Sequence, residues 1–302
     1  MTGFFDRLFR RNKTTPRRSS AEDIRTAPLS EEQLKAVTRL DAPIQPAQYI
    51  VGCAQSVGMQ RDHNEDTIFV LNSLLSGGDQ AIPAGLFIIA DGMGGHEHGE
   101  VASAVAARVM ADTLLTQLHG LFTGGGMDGQ ETSLQEILAS GVAAAQRAVT
   151  SKAPGGGTTL TVALALGSQI IIAHVGDSRA YLFSVAGSIH AITQDHSLVQ
   201  RLIELGELSE EEARVYPHRN VLYRAIGQVD PLHPDIHSHE FPHPGYLMLC
   251  SDGLWGVVPE SEIFQIVQKS ASVDEACRRL VEAANNEGGP DNISVILVKY
   301  PR

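Results

Sequence analysis

The chain has 302 residues, 43% of them hydrophobic, which is enough to bury the core of one large domain or of two small ones. The formal net charge of -12 and the 5% aromatic content argue against a nucleic-acid-binding protein, because phosphate backbones attract cations and unpaired bases stack on aromatic rings. A phosphate substrate is not excluded, since bound cations can reverse the local field.

The N-terminal segment, residues 1–46, differs in composition from the remainder. Its first 20 residues contain six basic residues and one acid, and apolar side chains from Phe4 to Phe9 lie at helical spacing beside arginines. The pattern fits a short amphipathic anchor for anionic lipid or a docking peptide, and it also fits a disordered basic tail. Two prolines near residue 46 predict a linker to a folded domain over residues 47–302.

Beyond the linker, the hydrophobic pattern alternates between strand and helix periods. In chain order, the predicted elements are strands at Tyr49–Ala54, Thr67–Leu71 and Leu86–Ala90, helices at Glu100–His119 and Ser133–Ser151, strands at Thr158–Leu166, Gln169–Val175, Arg179–Phe183 and Ile189–Thr193, short helices at His196–Leu205 and Ser209–Val215, a strand at Tyr246–Cys250, helices at Glu260–Lys269 and Val273–Asn285, and a strand at Ile293–Tyr300.

This order of elements predicts an α+β fold. Strands clustered between helix pairs favour two packed sheets with helices outside, which is a four-layer α-β-β-α sandwich. Short turns such as Gly167-Ser168 join consecutive strands as hairpins, so both sheets are expected to be mainly antiparallel.

Three carboxylates stand at the ends of apolar strands, each beside glycines. Asp91 and Asp252 each follow such a strand, and Asp291 precedes the last one. A strand end fixes a side chain more firmly than a loop does, and Mg²⁺ and Mn²⁺ prefer carboxylate and carbonyl oxygens. A single Asp-Gly pair usually marks an ordinary turn, whereas three carboxylates placed in this way indicate a site for hard divalent cations.

Six motifs between residues 49 and 300 occur in the order seen in metal-dependent protein phosphatases of type 2C, and the chain resembles the bacterial branch of that family. The motifs are Arg61-x-x-Asn64-Glu65-Asp66, Asp91-Gly92-Met93-Gly94-Gly95, Gly157-Thr158-Thr159, Val175-Gly176-Asp177-Ser178-Arg179-Ala180-Tyr181, Ser251-Asp252-Gly253-Leu254-Trp255 and Gly289-Pro290-Asp291-Asn292.

The resemblance implies a core site for two Mn²⁺ or Mg²⁺ ions. Asp91 would bridge the two ions, and the carbonyl of Gly92 would bind one of them. Asp252 and Asp291 would complete the protein ligands of the other ion.

The resemblance also assigns supporting roles. Glu65 and Asp66 would hold metal-bound waters, and Arg61 would bind the substrate phosphate through its planar fork. Asp177, with Asp252, would form a weaker third metal site.

The function implied is hydrolysis of phosphoserine and phosphothreonine in proteins, by a metal-bridging hydroxide that attacks phosphorus in line. The expected partners are substrates of Ser/Thr kinases, and the expected state is a monomer in the cytoplasm. The alternative is a catalytically weak relative that serves as a binding or scaffold partner of a kinase or a phosphothreonine-reading domain. Such a relative normally loses a ligand carboxylate, and Asp91, Asp252 and Asp291 are all present.

Two features near the site remain open. Some relatives carry a histidine two residues after the bridging aspartate, but here that position is Met93, so His63, His96 or a metal-bound water are the candidates for the general acid. Residues 195–225 match a segment that borders the active site in the family, and Arg219 and Arg224 within it would either contact a phosphopeptide or form structural ion pairs. We call residues 195–225 the flap.

Other enzyme classes lack their signatures. His239-Glu240-Phe241-Pro242-His243 has the spacing of a zinc protease motif, but Pro242 breaks the helix that such a site needs. None of the three cysteines is followed by arginine at the spacing of a cysteine phosphatase, and no nucleotide-binding P-loop occurs. Reduced thiols and the lack of a long apolar run favour the cytoplasm.

Overall fold

The computed structural model describes residues 48–77, 80–94, 97–123, 133–184, 187–214, 216–228 and 231–301. The predicted basic tail and linker, residues 1–46, lie outside the described residues, and so do Gly95 and His96.

The described elements follow the predicted order closely. The strands are β1 (Ile50–Ser56), β2 (Thr67–Gly77), β3 (Gln80–Ala90), β4 (Gly92–Met93), β5 (Gly157–Thr158), β6 (Leu160–Leu166), β7 (Gln169–Val175), β8 (Arg179–Ser184), β9 (Ser188–Ala191), β10 (Asp235–Glu240), β11 (Gly245–Cys250) and β12 (Ile293–Lys299). The helices are α1 (Glu97–Thr123), α2 (Leu134–Lys152), α3 (Leu198–Glu204), α4 (Glu210–Arg214), α5 (Asp252–Trp255), α6 (Glu260–Lys269) and α7 (Val273–Asn286).

Two five-stranded sheets form the centre of the fold. One has the order β1-β12-β11-β8-β9 and the other the order β10-β7-β6-β3-β2. Every pair of neighbouring strands in them is antiparallel, and β6 and β7 meet through the hairpin predicted at Gly167-Ser168. The short strands β4 and β5 form a separate two-stranded ladder, in which Gly92 pairs with Thr158.

The period-two alternation of the strands divides the core into three layers. On β3, Leu86 and Ile88 pack in the cluster that contains the apolar faces of α1 and α2. Phe87 and Ile89, on the opposite face, pack in a cluster shared by the two sheets. β11 alternates in the same way between the sheet-to-sheet cluster and the cluster under α6 and α7. The predicted four-layer α-β-β-α sandwich is therefore confirmed.

Three elements differ from the sequence prediction, and the first is the two-residue strand β4, which was not predicted. β10 was not predicted, because Asp235–Glu240 is largely polar; it is an edge strand paired on one side with β7, so its side chains need not be apolar. Asp252, predicted in a turn, is the first residue of the short helix α5.

Every helix within the described ranges is too short or too polar to cross a bilayer.

Candidate metal centre

The backbone of Asp91 is held on both sides by the Gly157-Thr158-Thr159 motif. The Asp91 N–H donates to Thr159 Oγ1 at 2.9 Å, and the Asp91 carbonyl accepts from Thr159 N–H and from Thr158 Oγ1, each at 2.8 Å. The sequence alone predicts no separate role for these threonines. They fix the turn that ends β3, so the Asp91 carboxylate leaves the sheet in one defined direction.

Glycine at position 92 is required by close packing. A Cβ there would lie 2.3 Å from the carbonyl oxygen of Gly99 and 2.6 Å from that of Glu65, which is closer than any side chain tolerates. The Gly92 N–H donates to the same Glu65 carbonyl at 3.2 Å. The chain that follows Asp91 is thereby pressed against the start of β2 and of α1.

Asp66 lies in a polar pocket between the two sheets, with 8% of its surface exposed. Its Oδ2 accepts from Ser251 Oγ at 2.8 Å and from Ser294 Oγ at 2.7 Å. Its Oδ1 is buried and has no hydrogen-bond partner. A buried carboxylate oxygen without a donor is costly unless something else binds it.

Asp252 and Asp291 approach the same region from the first sheet. The carboxyl group of Asp252 lies within hydrogen-bonding reach of Asp91, and its Oδ1 is a second buried oxygen without a partner. Asp291 accepts from the N–H of Asn292 through Oδ1 at 2.8 Å and from Arg61 through Oδ2 at 2.8 Å. Arg61, predicted to bind phosphate, therefore forms an ion pair with a predicted metal ligand.

The carboxylates raise one another's pKa. Burial and the charges of Asp66 and Asp252 raise the pKa of Asp91 well above its ordinary value. Burial and the charge of Asp291 raise the pKa of Asp252 to about 6, and burial with the charges of Asp252 and Asp291 raises that of Asp66 to about 7. The pKa of Asp177 is raised by burial and by Asp252. Such a cluster requires positive charge to stay ionised together.

Hard divalent cations fit this donor set. Buried carboxylate oxygens without hydrogen-bond donors are the ligands that Mg²⁺ and Mn²⁺ take. Within the described ranges, no three His, Cys, Asp or Glu side chains are placed to hold one ion together. Mg²⁺ usually keeps several coordinated waters and takes one or two carboxylates, so a site for it does not need three such side chains.

Asn292 connects the elements that carry the centre, a role that the sequence alone does not predict. It is 5% exposed; its Oδ1 accepts from Glu65 N–H at 2.8 Å, and its Nδ2 donates to the carbonyls of Val57 and His63 at 2.8 and 2.9 Å. Glu65 itself accepts from His63 Nε2 through Oε1 at 2.9 Å. These bonds join the loop before β2 to the loop before β12.

Asp177 lines the same cleft as Asp252. It is 6% exposed, and its carbonyl accepts from Trp255 Nε1 at 2.9 Å. Asp177, Asp252, Asp291 and Arg61 all line one open cleft of about 800 Å³. The structure thus brings Asp177 close to Asp252, as the predicted third site requires.

The flap forms one wall of this cleft through α3 and α4. Arg219 lines the cleft, whereas Arg224 donates to Asp235 Oδ1 at 2.8 Å and so forms an ion pair with β10. Met93 accepts a long contact of 3.5 Å from Gln228 Nε2 through its sulfur. Of the two arginines, only Arg219 is placed at the cleft.

The fold is that of a metal-dependent phosphatase, and comparison with known proteins agrees. A family model described as protein phosphatase 2C matches residues 52–293. The serine/threonine phosphatase stp of Listeria welshimeri is 38% identical over 247 residues, covering 80% of this chain and 92% of that protein. Protein phosphatase PhpP of Streptococcus pneumoniae is 35% identical over 249 residues, covering 80% and 94%.

Solved structures give the same result. The Mycobacterium tuberculosis serine/threonine phosphatase PstP/Ppp has a TM-score of 0.68 at 31% identity, covering 84% of this chain and 100% of that one. The catalytic domain of PstP, in complex with two manganese ions, has a TM-score of 0.68 at 30% identity, covering 84% and 99%. The present chain belongs to the protein phosphatase 2C family.

Proposed function

We propose that the protein hydrolyses phosphoserine and phosphothreonine in other proteins, at a centre of two divalent cations built around Asp91, Asp252 and Asp291. Membership of the protein phosphatase 2C family makes it a serine/threonine protein phosphatase, and the matched bacterial relatives carry that name. The observation that carries the site assignment is the convergence of buried carboxylates from both sheets, two of whose oxygens have no hydrogen-bond partner.

The cofactor is Mn²⁺ or Mg²⁺, and the matched PstP structure holds two manganese ions. The residues that would hold the core ions are Asp91, the carbonyl of Gly92, Asp252 and Asp291, with Asp66 and Glu65 holding coordinated water. Asp177 and Asp252 would hold a weaker third ion. When bound, such ions lower the pKa of water and neutralise charge on the phosphoryl group.

The chain's own residues would orient the Asp91 carboxylate and neutralise charge on the phosphoryl group. Thr158 and Thr159 hold the backbone of Asp91, so its carboxylate needs no rearrangement when charge develops in the reaction. Arg61 is 51% exposed at the cleft, and its fork matches two phosphoryl oxygens once it leaves Asp291. Met93 has no proton to give, so it cannot protonate the departing serine or threonine oxygen.

Hydrolysis of p-nitrophenyl phosphate and of phosphothreonine peptides tests this proposal. We expect turnover that requires Mn²⁺ or Mg²⁺ and is abolished by EDTA. An inert protein in the presence of Mn²⁺, or an Asp252→Asn variant with the full rate, would contradict the mechanism.

We propose that its partners are proteins phosphorylated by Ser/Thr kinases. We also propose that it acts on them as a monomer in the cytoplasm. The three cysteines form no disulfide, and Cys250 and Cys277 are buried, which agrees with a reducing compartment. The scaffold alternative is less well supported, because Asp91, Asp252 and Asp291 are all retained.

We also propose that residues 47–302 form the phosphatase domain and that residues 1–46 attach it to a protein or an anionic membrane. The excess of basic residues among the first 20 supports this attachment. Deletion of residues 1–46 should leave peptide hydrolysis unchanged but weaken binding to vesicles containing anionic lipid, or to a kinase partner. Unchanged binding in both assays would argue against the attachment role.

A further inference from the structure

We propose that Arg179 is a positioning residue that couples the start of the flap to the metal-binding face of the cleft. It joins Asp195, Trp255 and Asp177 into one set of contacts, which we call the Arg179 cluster. This inference rests on the proposed function, because Asp177 is given its metal-binding role there.

The first contact fixes the flap. Arg179 donates to Asp195 through two parallel bonds, Nε to Oδ1 at 2.9 Å and a terminal nitrogen to Oδ2 at 2.8 Å. Asp195 is 6% exposed, so solvent does not screen the pair as it does at the surface. Arg179 also donates to the Tyr181 hydroxyl at 3.1 Å. The first residue of the flap is thereby held in one orientation.

The second contact links Arg179 to the helix that begins at Asp252. The guanidinium carbon of Arg179 lies 3.5 Å from the ring centroid of Trp255, a cation–π contact. Trp255 is the last residue of α5, the helix that begins at Asp252. Its indole N–H donates to the carbonyl of Asp177 at 2.9 Å.

The geometry of the Arg179 cluster requires arginine. One planar group makes two parallel bonds to Asp195 and covers the face of Trp255, which a lysine ammonium cannot do. Burial alone would lower the pKa of Arg179, but the hydrogen bonds and charge of Asp195 raise it, so the side chain stays charged. All four members of the cluster line the cleft. One side chain, Arg179, therefore holds both Asp195 and Trp255 in place.

Two variants each weaken one contact of the Arg179 cluster, the first at Asp195 and the second at Trp255. Asp195→Asn keeps the shape but weakens the charge-assisted bonds to Arg179, and we expect KM for a phosphothreonine peptide to rise about tenfold. KM for p-nitrophenyl phosphate should change less than about twofold, because this small substrate does not reach the flap. Trp255→Phe keeps a ring but loses the N–H, and should weaken the weakest Mn²⁺ site in calorimetry about fivefold.

A third variant tests the coupling itself. Arg179→Lys keeps the charge but loses the fork, so both the peptide KM and the weakest Mn²⁺ site should change as in the two other variants. The matched control is Arg279→Lys on α7, a partly exposed residue whose guanidinium lies 3.7 Å from Glu275. This control should alter neither quantity.

The outcome that overturns the proposal is a lower melting temperature for Arg179→Lys, with the peptide KM and the Mn²⁺ affinities unchanged; Arg179 would then be structural only. An equal rise in KM for both substrates in Asp195→Asn would also overturn it. If Arg179→Lys does not fold, the two other variants still decide each end. Failure of the proposed function is distinguishable, because the unmodified protein would then be inert or would bind no Mn²⁺.

Discussion

Arg61 and Asp291 form a 2.8 Å ion pair, so the side chain expected to bind phosphate and a side chain expected to bind metal are held against each other. Both are partly exposed, 51% for Arg61 and 27% for Asp291. Exposed pairs of this kind contribute at most about 1 kcal/mol. An incoming cation at Asp291 or a phosphoryl group at Arg61 can therefore separate them at small cost.

Replacement of Arg61 separates these two functions. For Arg61→Ala we expect kcat/KM to fall about 100-fold, because a charge aimed at the phosphoryl group is lost. Mn²⁺ affinity should stay equal or rise slightly, since Asp291 loses its competing partner. Steady-state kinetics and calorimetry measure both quantities. A lower Mn²⁺ affinity, with kcat/KM restored at saturating Mn²⁺, would show that Arg61 supports the metal rather than the substrate.

Replacement of Asp252 should lower activity and raise the stability of the metal-free protein. Burial and the charge of Asp291 raise the pKa of Asp252, which means that its ionised form is unfavourable in the fold. Asp252→Asn should lower kcat at least about 1000-fold and, in EDTA, raise the melting temperature by about 2–4 °C per kcal/mol of repulsion removed. Thermal denaturation with and without Mn²⁺ tests this. Asp112→Asn, at an exposed position of α1, is the control and should change neither.

The raised carboxylate pKa values predict how stability in EDTA depends on pH. The folded chain binds protons more tightly than the unfolded chain at Asp66, whose pKa is raised to about 7, and at Asp252, where it is raised to about 6. Stability from this source should thus fall as pH rises from about 4 to about 7 and level off above about 8. Saturating Mn²⁺ should remove the fall, because metal binding favours the ionised form.

Melting curves between pH 5 and pH 8 in EDTA measure this effect. The difference in melting temperature between samples with and without Mn²⁺ should grow with pH. If the melting temperature of Asp66→Asn in EDTA depends less on pH than that of the unmodified protein, the pH effect comes from the carboxylate cluster. An equal dependence on pH would refute that assignment.

The sequence predicts those parts of the centre that depend on local pattern. Asp91, Asp252 and Asp291 could be placed at strand ends because the apolar runs beside them have a clear strand period. The resemblance added Asp66 and Asp177, and the structure lays both beside Asp252. Element bounds differ from prediction by a few residues, since ends are set by tertiary contacts as much as by propensity.

The parts that sequence did not predict depend on distant neighbours. Ser251 and Ser294 bind the carboxylate of Asp66, about 190 and 230 residues away in the chain, and no local pattern specifies such a contact. The same is true of Asn292, whose partners lie near the other end of the domain. β10 was missed because an edge strand with polar side chains lacks an apolar period.

Asn292 provides a test of these long-range bonds. Asn292→Ala would leave the Glu65 N–H and the Val57 and His63 carbonyls without their partner, at a cost of about 2–4 kcal/mol in the free energy of unfolding. Urea denaturation measures the loss, and activity should fall as the loop before β2 shifts. Asn286→Ala, at an exposed position, is the control. An effect no larger than that of the control would contradict the connecting role.

Asp177 tests the third-ion assignment. Asp177→Asn should lower the rate while two Mn²⁺ ions still bind in calorimetry, because the proposed core ligands Asp91, Asp252 and Asp291 are unchanged. Only the weakest binding step should disappear. Loss of the two tighter ions would contradict the assignment of Asp177 to a separate site.

The centre takes Asp91 from β3 of one sheet and Asp252 and Asp291 from the ends of β11 and β12 in the other. Its carboxylate spacing is therefore a measure of how the two sheets sit on each other. A cavity in the layer between the sheets, for example Phe87→Ala, lets them settle and alters that spacing, whereas a cavity of equal size under a helix does not. Mutations in this domain should thus rank differently by lost activity than by lost stability, and ions held at the proposed centre would cross-link the two sheets.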